Sequence, residues 1–167
     1  MAKNRTSHTC DKCRSILKKG DFFIVDDKKI CISCMYGKAK PFKIYPIGIV
    51  RNQLELNGTD FGVAGRSGLS CIELMDSQSP FLYKIEEEEH ITVVYYLHRS
   101  KTVRSVFKRG LDGKKVGVFA SRTPHRLSRI AVQDVRLVRV DGTKLYVEGL
   151  DAIDGSPVLD IKMKWPG

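Results

Sequence analysis

The chain has 167 residues, with 29 Lys and Arg against 19 Asp and Glu, a formal net charge of +10 and a pI near 9.5. That length accommodates one ordinary domain, alone or with a small accessory module. The charge favours polyanions: nucleic acid first, since each phosphate contact releases counterions, an anionic membrane surface second, with a simply soluble basic domain as the plain alternative. No apolar run approaches the ~20 residues of a spanning helix, and the opening MAKNRTSHTC lacks the apolar centre of a signal peptide. The expectation is a cytoplasmic protein without a membrane partner.

The first chemistry is Cys10-x2-Cys13 followed, after seventeen residues, by Cys31-x2-Cys34. Each knuckle puts two thiolates on one tight turn, and two knuckles close a tetrahedron, so the pattern predicts a zinc ribbon holding Zn2+. Disulfides or another metal are the alternatives. Between the knuckles, Lys19–Asp21 reads as a turn, FFIV as a strand, Asp26–Lys29 as a second turn and ICI as the returning strand. A hairpin of that size has little core and needs a metal to fold. Four thiolates with one zinc ion contribute −2. His8 is a spare ligand candidate. Residues 1–44 hold eleven Lys and Arg against four Asp, which suits an RNA-gripping arm, or equally a solubilised cap. Lys38–Pro41 reads as a linker, giving a ribbon module over 1–40 and a second domain over 41–167.

Alternation over Phe42–Arg51 predicts a largely buried first strand. Residues 57–70 contain four glycines and read as a closely approached loop. Cys71 on CIEL reads as a core thiol. PFLYKIEEEE reads as a helical turn and a solvated acidic run. HITVVYYLHRS then predicts a strand with Ile91, Val93, Tyr95 and Leu97 on one face, and with His90 and His98 on the other.

From Arg99 to Arg129 there are ten Lys and Arg and one acid, Asp112. Arg104, Lys108 and Arg109 interleave with Val103, Val106 and Phe107, as a loop laid over an RNA backbone requires, or as any charged loop does. The stretch VGVFASRTPHRLSRIAVQ, Val116 to Gln133, reads as a strand over Val116–Ala120 and then a proline-stiffened loop. That loop carries Arg122, Thr123, Pro124, His125, Arg126 and Arg129. Its guanidinium forks and imidazole suit a phosphate, a carboxylate or a nucleobase, and also a solvated basic hairpin. VRLVRV, KLYVEG and VLDIKMKW predict three further strands joined by Asp141-Gly142 and Asp154-Gly155 turns. In the last, Leu159, Ile161, Met163 and Trp165 are expected on one face, opposite Val158, Asp160, Lys162 and Lys164. Asp154 fits a turn role, and Asp160 an acceptor from an arginine or a backbone amide.

The segments YPIGIVRN, SGLSCIEL, HITVVYYLHRS, VGVFASRTPHR and GLDAIDGSPVLDIKMKWP, in this order across about 44–166, resemble the TsaA-like, or TrmO, family. The resemblance implies an all-β protein, a small single-sheet β-barrel of about seven or more strands, here behind an N-terminal zinc-ribbon module. It also implies S-adenosylmethionine-dependent methylation of the N6 of a modified adenosine beside the tRNA anticodon, and a homodimer. A non-catalytic S-adenosylmethionine-binding or RNA-binding adaptor is the alternative. The implied cofactor residues are Arg122, Thr123, Pro124, His125 and Arg126, with Asp151, Asp154 and Asp160 as further candidates. Arg66, in a loop where the family carries Pro-Arg-Gln, joins Arg104, Lys108, Arg109 and Arg129 as substrate contacts, the substrate being tRNA or another structured RNA. Leu127–Gln133 departs from the family text, and ending at Trp165-Pro166-Gly167 implies a member without the further C-terminal domain of many relatives.

Overall fold

The computed structural model describes residues 8–53 and 68–165. The strands are β1 (His8–Thr9), β2 (Ile16–Leu17), β3 (Phe22–Val25), β4 (Lys28–Cys31), β5 (Gly48–Arg51), β6 (Leu69–Leu74), β7 (His90–Tyr96), β8 (Val106–Lys108), β9 (Lys115–Gly117), β10 (Ile130–Asp141), β11 (Lys144–Glu148) and β12 (Pro157–Met163). One short helix, α1 (Ile32–Tyr36), follows β4, and 3-10 turns occupy Asp76–Leu82, Ile85–Glu87 and Val118–Ala120.

The chain forms two compact units, Met1–Lys43 with Ser100–Ser128, and Ile44–Arg99 with Arg129–Gly167. Charge is divided between them. The first has 19 Lys and Arg against 5 Asp, a formal +14, and the second has 10 against 14, a formal −4. Arg66 and its glycine-rich loop lie outside the described residues.

In the first unit β1 pairs with β2 and β3 with β4, all antiparallel. The β3–β4 turn is Asp26-Asp27, with φ of 47° and 63°, the left-handed pair that a two-residue hairpin of matching twist requires. The turn is therefore shorter than expected: Lys28 and Lys29 are already in β4, and Ile32 opens α1 instead of extending a strand. Gly37, at φ 63°, ends the helix and donates to Ser33 O at 2.9 Å. Around the cysteines the buried apolar content is Leu17 with Cys10 and Cys31, lined by Phe22 and Cys34, and Val103 and Val118 are buried elsewhere in the unit. β8 and β9 form a separate hairpin.

The second unit is a closed antiparallel barrel in the order β10-β11-β6-β5-β12-β7. Its six strands correct the expected seven or more. VRLVRV is not a strand of its own; it is the second half of β10, whose first half (Ile130–Arg136) pairs with β7 and whose second half (Arg136–Asp141) pairs with β11. One strand thus closes the barrel, bending at the irregularity between Leu137 and Arg139. Ile91, Val93 and Tyr95 point inward as the alternation required, meeting Val50, Ile72, Val135, Leu145, Val147, Leu150 and Val158.

Two expectations fail here for local reasons. Phe42 and Tyr45 are 81% and 78% exposed, and the strand begins only at Gly48. In β12 a bulge between Val158 and Asp160 breaks the period of two, so Val158 opposite Tyr95 and Ile161 opposite Val93 both belong to the core side, while Met163 and Trp165 are exposed.

Gly48 is the most closely enclosed of the described glycines: a Cβ there would lie 2.5 Å from Glu73 O and 2.8 Å from Leu74 Cδ2. Gly48→Ala is expected to cost about 1–3 kcal/mol through overpacking against a neighbouring strand. Scanning calorimetry should show the barrel transition several degrees lower, and an unchanged midpoint contradicts this register.

Candidate functional site

In the first unit the four knuckle sulfurs, Cys10, Cys13, Cys31 and Cys34, all lie within 4.8 Å of one another. Cys13 Sγ and Cys31 Sγ are 3.8 Å apart, the edge of a tetrahedron with metal–sulfur bonds of about 2.3 Å, and far longer than a disulfide of about 2.05 Å. Backbone amides aim at the sulfurs: Cys31 N–H donates to Cys10 Sγ at 3.4 Å, and Cys34 N–H to Cys31 Sγ at 3.3 Å. The Cys31 amide, then that of Cys13, lowers the Cys10 thiol to about 6. Hydrogen bonding with the Cys31 and Cys13 sulfurs pushes Cys34 up to about 12. Four sulfurs this close cannot all ionise without a cation among them. His8 is used elsewhere, its Nδ1 3.1 Å from Lys29 Nζ and its ring edge-on to Phe22.

The signature stretch as far as Ser128 also belongs to the first unit, and its remainder enters the barrel unit. Its strand stops at Gly117, and Val118–Ala120 forms a 3-10 turn where continued extension was expected. The cause is local capture: Val118 N–H donates to Ser105 O at 3.0 Å, and Ser121 Oγ donates to Val118 O at 3.2 Å. Val118 is buried and Phe119 is 86% exposed. Side-chain hydroxyls then shape the loop, Ser121 Oγ accepting from Thr123 N–H and Thr123 Oγ1 from His125 N–H. Ser100 Oγ donates to Pro124 O at 3.1 Å.

The predicted cations do not act alike. Arg126 folds back on its own loop, donating from Nε to Thr123 O at 3.0 Å and from Nη2 to Ser121 O at 2.6 Å. Arg109 grips Asp112, with Nε 2.9 Å from Oδ1, and closes the β8–β9 turn. Arg104 pairs with Asp27 at 3.1 Å. Arg122 and Lys108 are exposed, with no hydrogen bond or ion pair among the described residues. His125 stands edge-on to Phe107, centroids 6.3 Å apart, and its Nδ1 is a buried polar atom without a partner. The segment thus presents a ring nitrogen with unused capacity, an unpaired guanidinium and an exposed aromatic face.

In the barrel unit two of the predicted acids, Asp151 and Asp154, lie in the loop before β12, and Asp160 lies within that strand. Asp154 Oδ1 accepts from Asn52 N–H at 3.2 Å. Asp151 N–H donates to Gln133 Oε1 at 2.8 Å, and its carbonyl accepts from Tyr95 Oη at 3.2 Å. Asp160 Oδ1 accepts from Ile161 N–H, its other oxygen pairs with Lys162, and the residue borders a pocket of about 300 Å³ lined by Ile47, Leu74, Phe81 and Leu82. Two residues not singled out as functional do most of the holding. Asn52 donates to Ala152 O at 2.7 Å and to Ser70 Oγ at 2.9 Å, and Gln133 also bonds Gly149 O. Their signal in the sequence was weak: an amide at the end of YPIGIVRN and one at the end of the signature stretch. His98 Nδ1 lies 3.4 Å from the buried Ser156 Oγ, and burial, then Arg99, lowers its pKa. Arg129, at φ 52°, uses its carbonyl to accept from Leu97 N–H at 2.8 Å. Cys71 is half-buried on the face of β6 opposite Ile72 and Leu74, so it is not the core thiol expected, and partial burial raises its pKa.

The sequence model described as the tRNA-methyltransferase O N-terminal domain matches residues 62–166. The chain belongs to the TrmO family. Within it, a probable S-adenosyl-L-methionine-binding protein of Pyrococcus abyssi is 38% identical over 120 residues, covering 70% of this chain and 65% of that one. A tRNA (adenine(37)-N6)-methyltransferase of Mus musculus is 38% identical over 84 residues, 48% of this chain but 20% of that one. The crystal structure of TrmO from P. aeruginosa superposes with a TM-score of 0.62 at 27% identity, over 77% of this chain and 57% of the other. The chain therefore spans a fifth to about two thirds of these TrmO-type relatives, and the cysteine ribbon lies outside the matched 62–166 segment.

Because Arg109 lowers the Asp112 carboxyl to about 2, the β8–β9 hairpin should keep this ion pair above the ordinary carboxylate range near 3.8 and lose it as pH falls toward 2. A carboxyl-detected NMR titration should place the Asp112 midpoint near 2 in the wild type and near the ordinary value in Arg109→Ala.

Proposed function

We propose that this TrmO-family chain is an S-adenosylmethionine-dependent tRNA methyltransferase acting on the N6 of an adenine, with Zn2+ held by Cys10, Cys13, Cys31 and Cys34. The observation that carries the reading is the signature segment, where His125 Nδ1 is buried without a partner and Arg122 is exposed without one, beside the exposed Phe119. These groups fit the cofactor chemically: a cation for its carboxylate, a ring nitrogen for a hydroxyl or amine, and an aromatic face for its adenine. When bound, the cofactor supplies an activated methyl group on a sulfonium. The chain's own residues have three tasks: to orient the segment, to hold the nucleotide by its phosphates and to keep water away.

Arg126, Thr123 and Ser121 serve the first task by fixing the loop on itself. Lys108, Lys114, Lys115 and the ribbon lysines, in a unit of formal charge +14, serve the second by attracting RNA. Transfer to an exocyclic amine requires alignment and a route for one proton, with no covalent enzyme intermediate. A homodimer in the cytoplasm belongs to the same proposal, supported by the family resemblance; no helix of the described residues is long and apolar enough to cross a membrane. A second reading, binding of the cofactor without transfer, is favoured by Arg104 and Arg109, which are tied to Asp27 and Asp112 and so are not open to RNA.

Calorimetric titration of the metal-loaded protein with S-adenosylmethionine should give saturable binding, weakened about tenfold or more in Arg122→Ala, the usual loss for a charge-assisted hydrogen bond. Labelled methyl should then pass into tRNA. Binding without transfer to any tRNA supports the second reading, and a folded, metal-loaded protein that does not bind overturns both.

A further inference from the structure

We infer that Asp26 is a positioning residue that ties the cysteine ribbon to the signature segment, so that the metal state of the ribbon sets the shape of the loop carrying Arg122 and His125. The inference rests on the reading of the four cysteines as a metal site and of that loop as the cofactor segment. It concerns contacts within the first unit only.

The turn at Asp26-Asp27 has a feature that hairpin closure does not explain. Both residues hold left-handed backbone angles, which most side chains disfavour and which glycine adopts freely. Aspartate is a common choice in such a turn, where its carboxylate ordinarily bonds its own backbone. Here the Asp26 carboxylate receives two donors from one distant residue, Ser105 N–H at 2.9 Å on Oδ1 and Ser105 Oγ on Oδ2. Asp26 N–H donates to Val103 O at 3.2 Å, Val25 and Val103 form a parallel bridge, and Asp27 pairs with Arg104. Every residue from 103 to 105 is thus gripped by the end of the β3–β4 hairpin.

Two of these three residues, Arg104 and Ser105, also hold the signature loop, at His125 and Val118. Ser105 O accepts from Val118 N–H at 3.0 Å, where the 3-10 turn begins, and Arg104 N–H donates to His125 O at 3.0 Å. Residues 103–105 are therefore a strut. On one side they meet the hairpin turn, and on the other they meet Val118 and His125. The hairpin is short, four residues on each side, and its far end is Cys31, opposite Phe22. With so little apolar core, the hairpin depends on the metal for its order, and the strut depends on the hairpin.

Hydrogen exchange of the full chain, read by mass spectrometry with metal content measured in parallel, tests this without requiring activity. Chelation should raise exchange at least tenfold in peptides covering 103–105 and 118–126 while leaving the barrel peptide 90–96 protected. Asp26→Ala with its metal retained should do the same and weaken S-adenosylmethionine binding. Asp26→Asn should behave as wild type, because its amide can still accept from Ser105 N–H and donate to Ser105 Oγ. If Asp26→Ala does not hold metal, Ser105→Ala, which lies outside the ribbon, should raise exchange at 118–126 with metal bound. Unchanged protection at 118–126 in a metal-retaining Asp26→Ala, or on chelation, overturns the inference. So does a folded protein that binds no metal. Failure of cofactor binding with the exchange pattern intact would instead count against the proposed function alone.

Discussion

Four sulfurs within 4.8 Å of one another are the constraint on which the first unit depends. The unit has little apolar core: Leu17 and Phe22 cluster with the cysteines, and Val103 and Val118 are buried apart from that cluster, while its formal charge of +14 opposes compaction. Secondary structure cannot compensate, since the hairpins β1–β2, β3–β4 and β8–β9 are each too small to be stable alone. A divalent ion among four thiolates would supply what hydrophobic burial does not, so the proposed metal would matter for the whole unit and not only for the two knuckles.

The barrel unit is stabilised in the opposite way. Val50, Ile72, Ile91, Val93, Leu145, Val147, Leu150 and Val158 are fully buried or nearly so, six strands close on themselves and no edge is left open. Its polar groups serve geometry. Asn52, Gln133 and Tyr95 hold the loop from Gly149 to Asp154, and burial, with the Asp151 charge, keeps the Tyr95 phenol protonated well above its ordinary range. The barrel is a frame closed by apolar burial, and the other unit carries the basic charge and the signature loop.

Much of this was legible in the residues. The Cys-x2-Cys spacing named all four clustered sulfurs, and the period-two pattern of β7 named its inward face. The order of the five family-like segments gave the barrel and the family. Other features depend on partners far away in the chain, which no local pattern encodes. Val118–Ala120 alternates like a strand yet turns, because Ser105 captures Val118. Arg126 looks like an anion ligand yet spends two donors on carbonyls three and five residues back. The β12 bulge reverses the face of everything after Val158 without any glycine to announce it. Asp26 reads as an ordinary turn residue, and only its contact with Ser105, 79 positions away, marks it as something more.

The central claim, that one ion bound by four thiolates organises the first unit, is tested most directly by X-ray absorption at the zinc edge of the purified full chain. The account predicts about one zinc per chain with four sulfur neighbours at about 2.3 Å and no nitrogen or oxygen shell. A mixed shell with fewer sulfurs, or a metal-free chain whose cysteines are oxidised to disulfides, would contradict it.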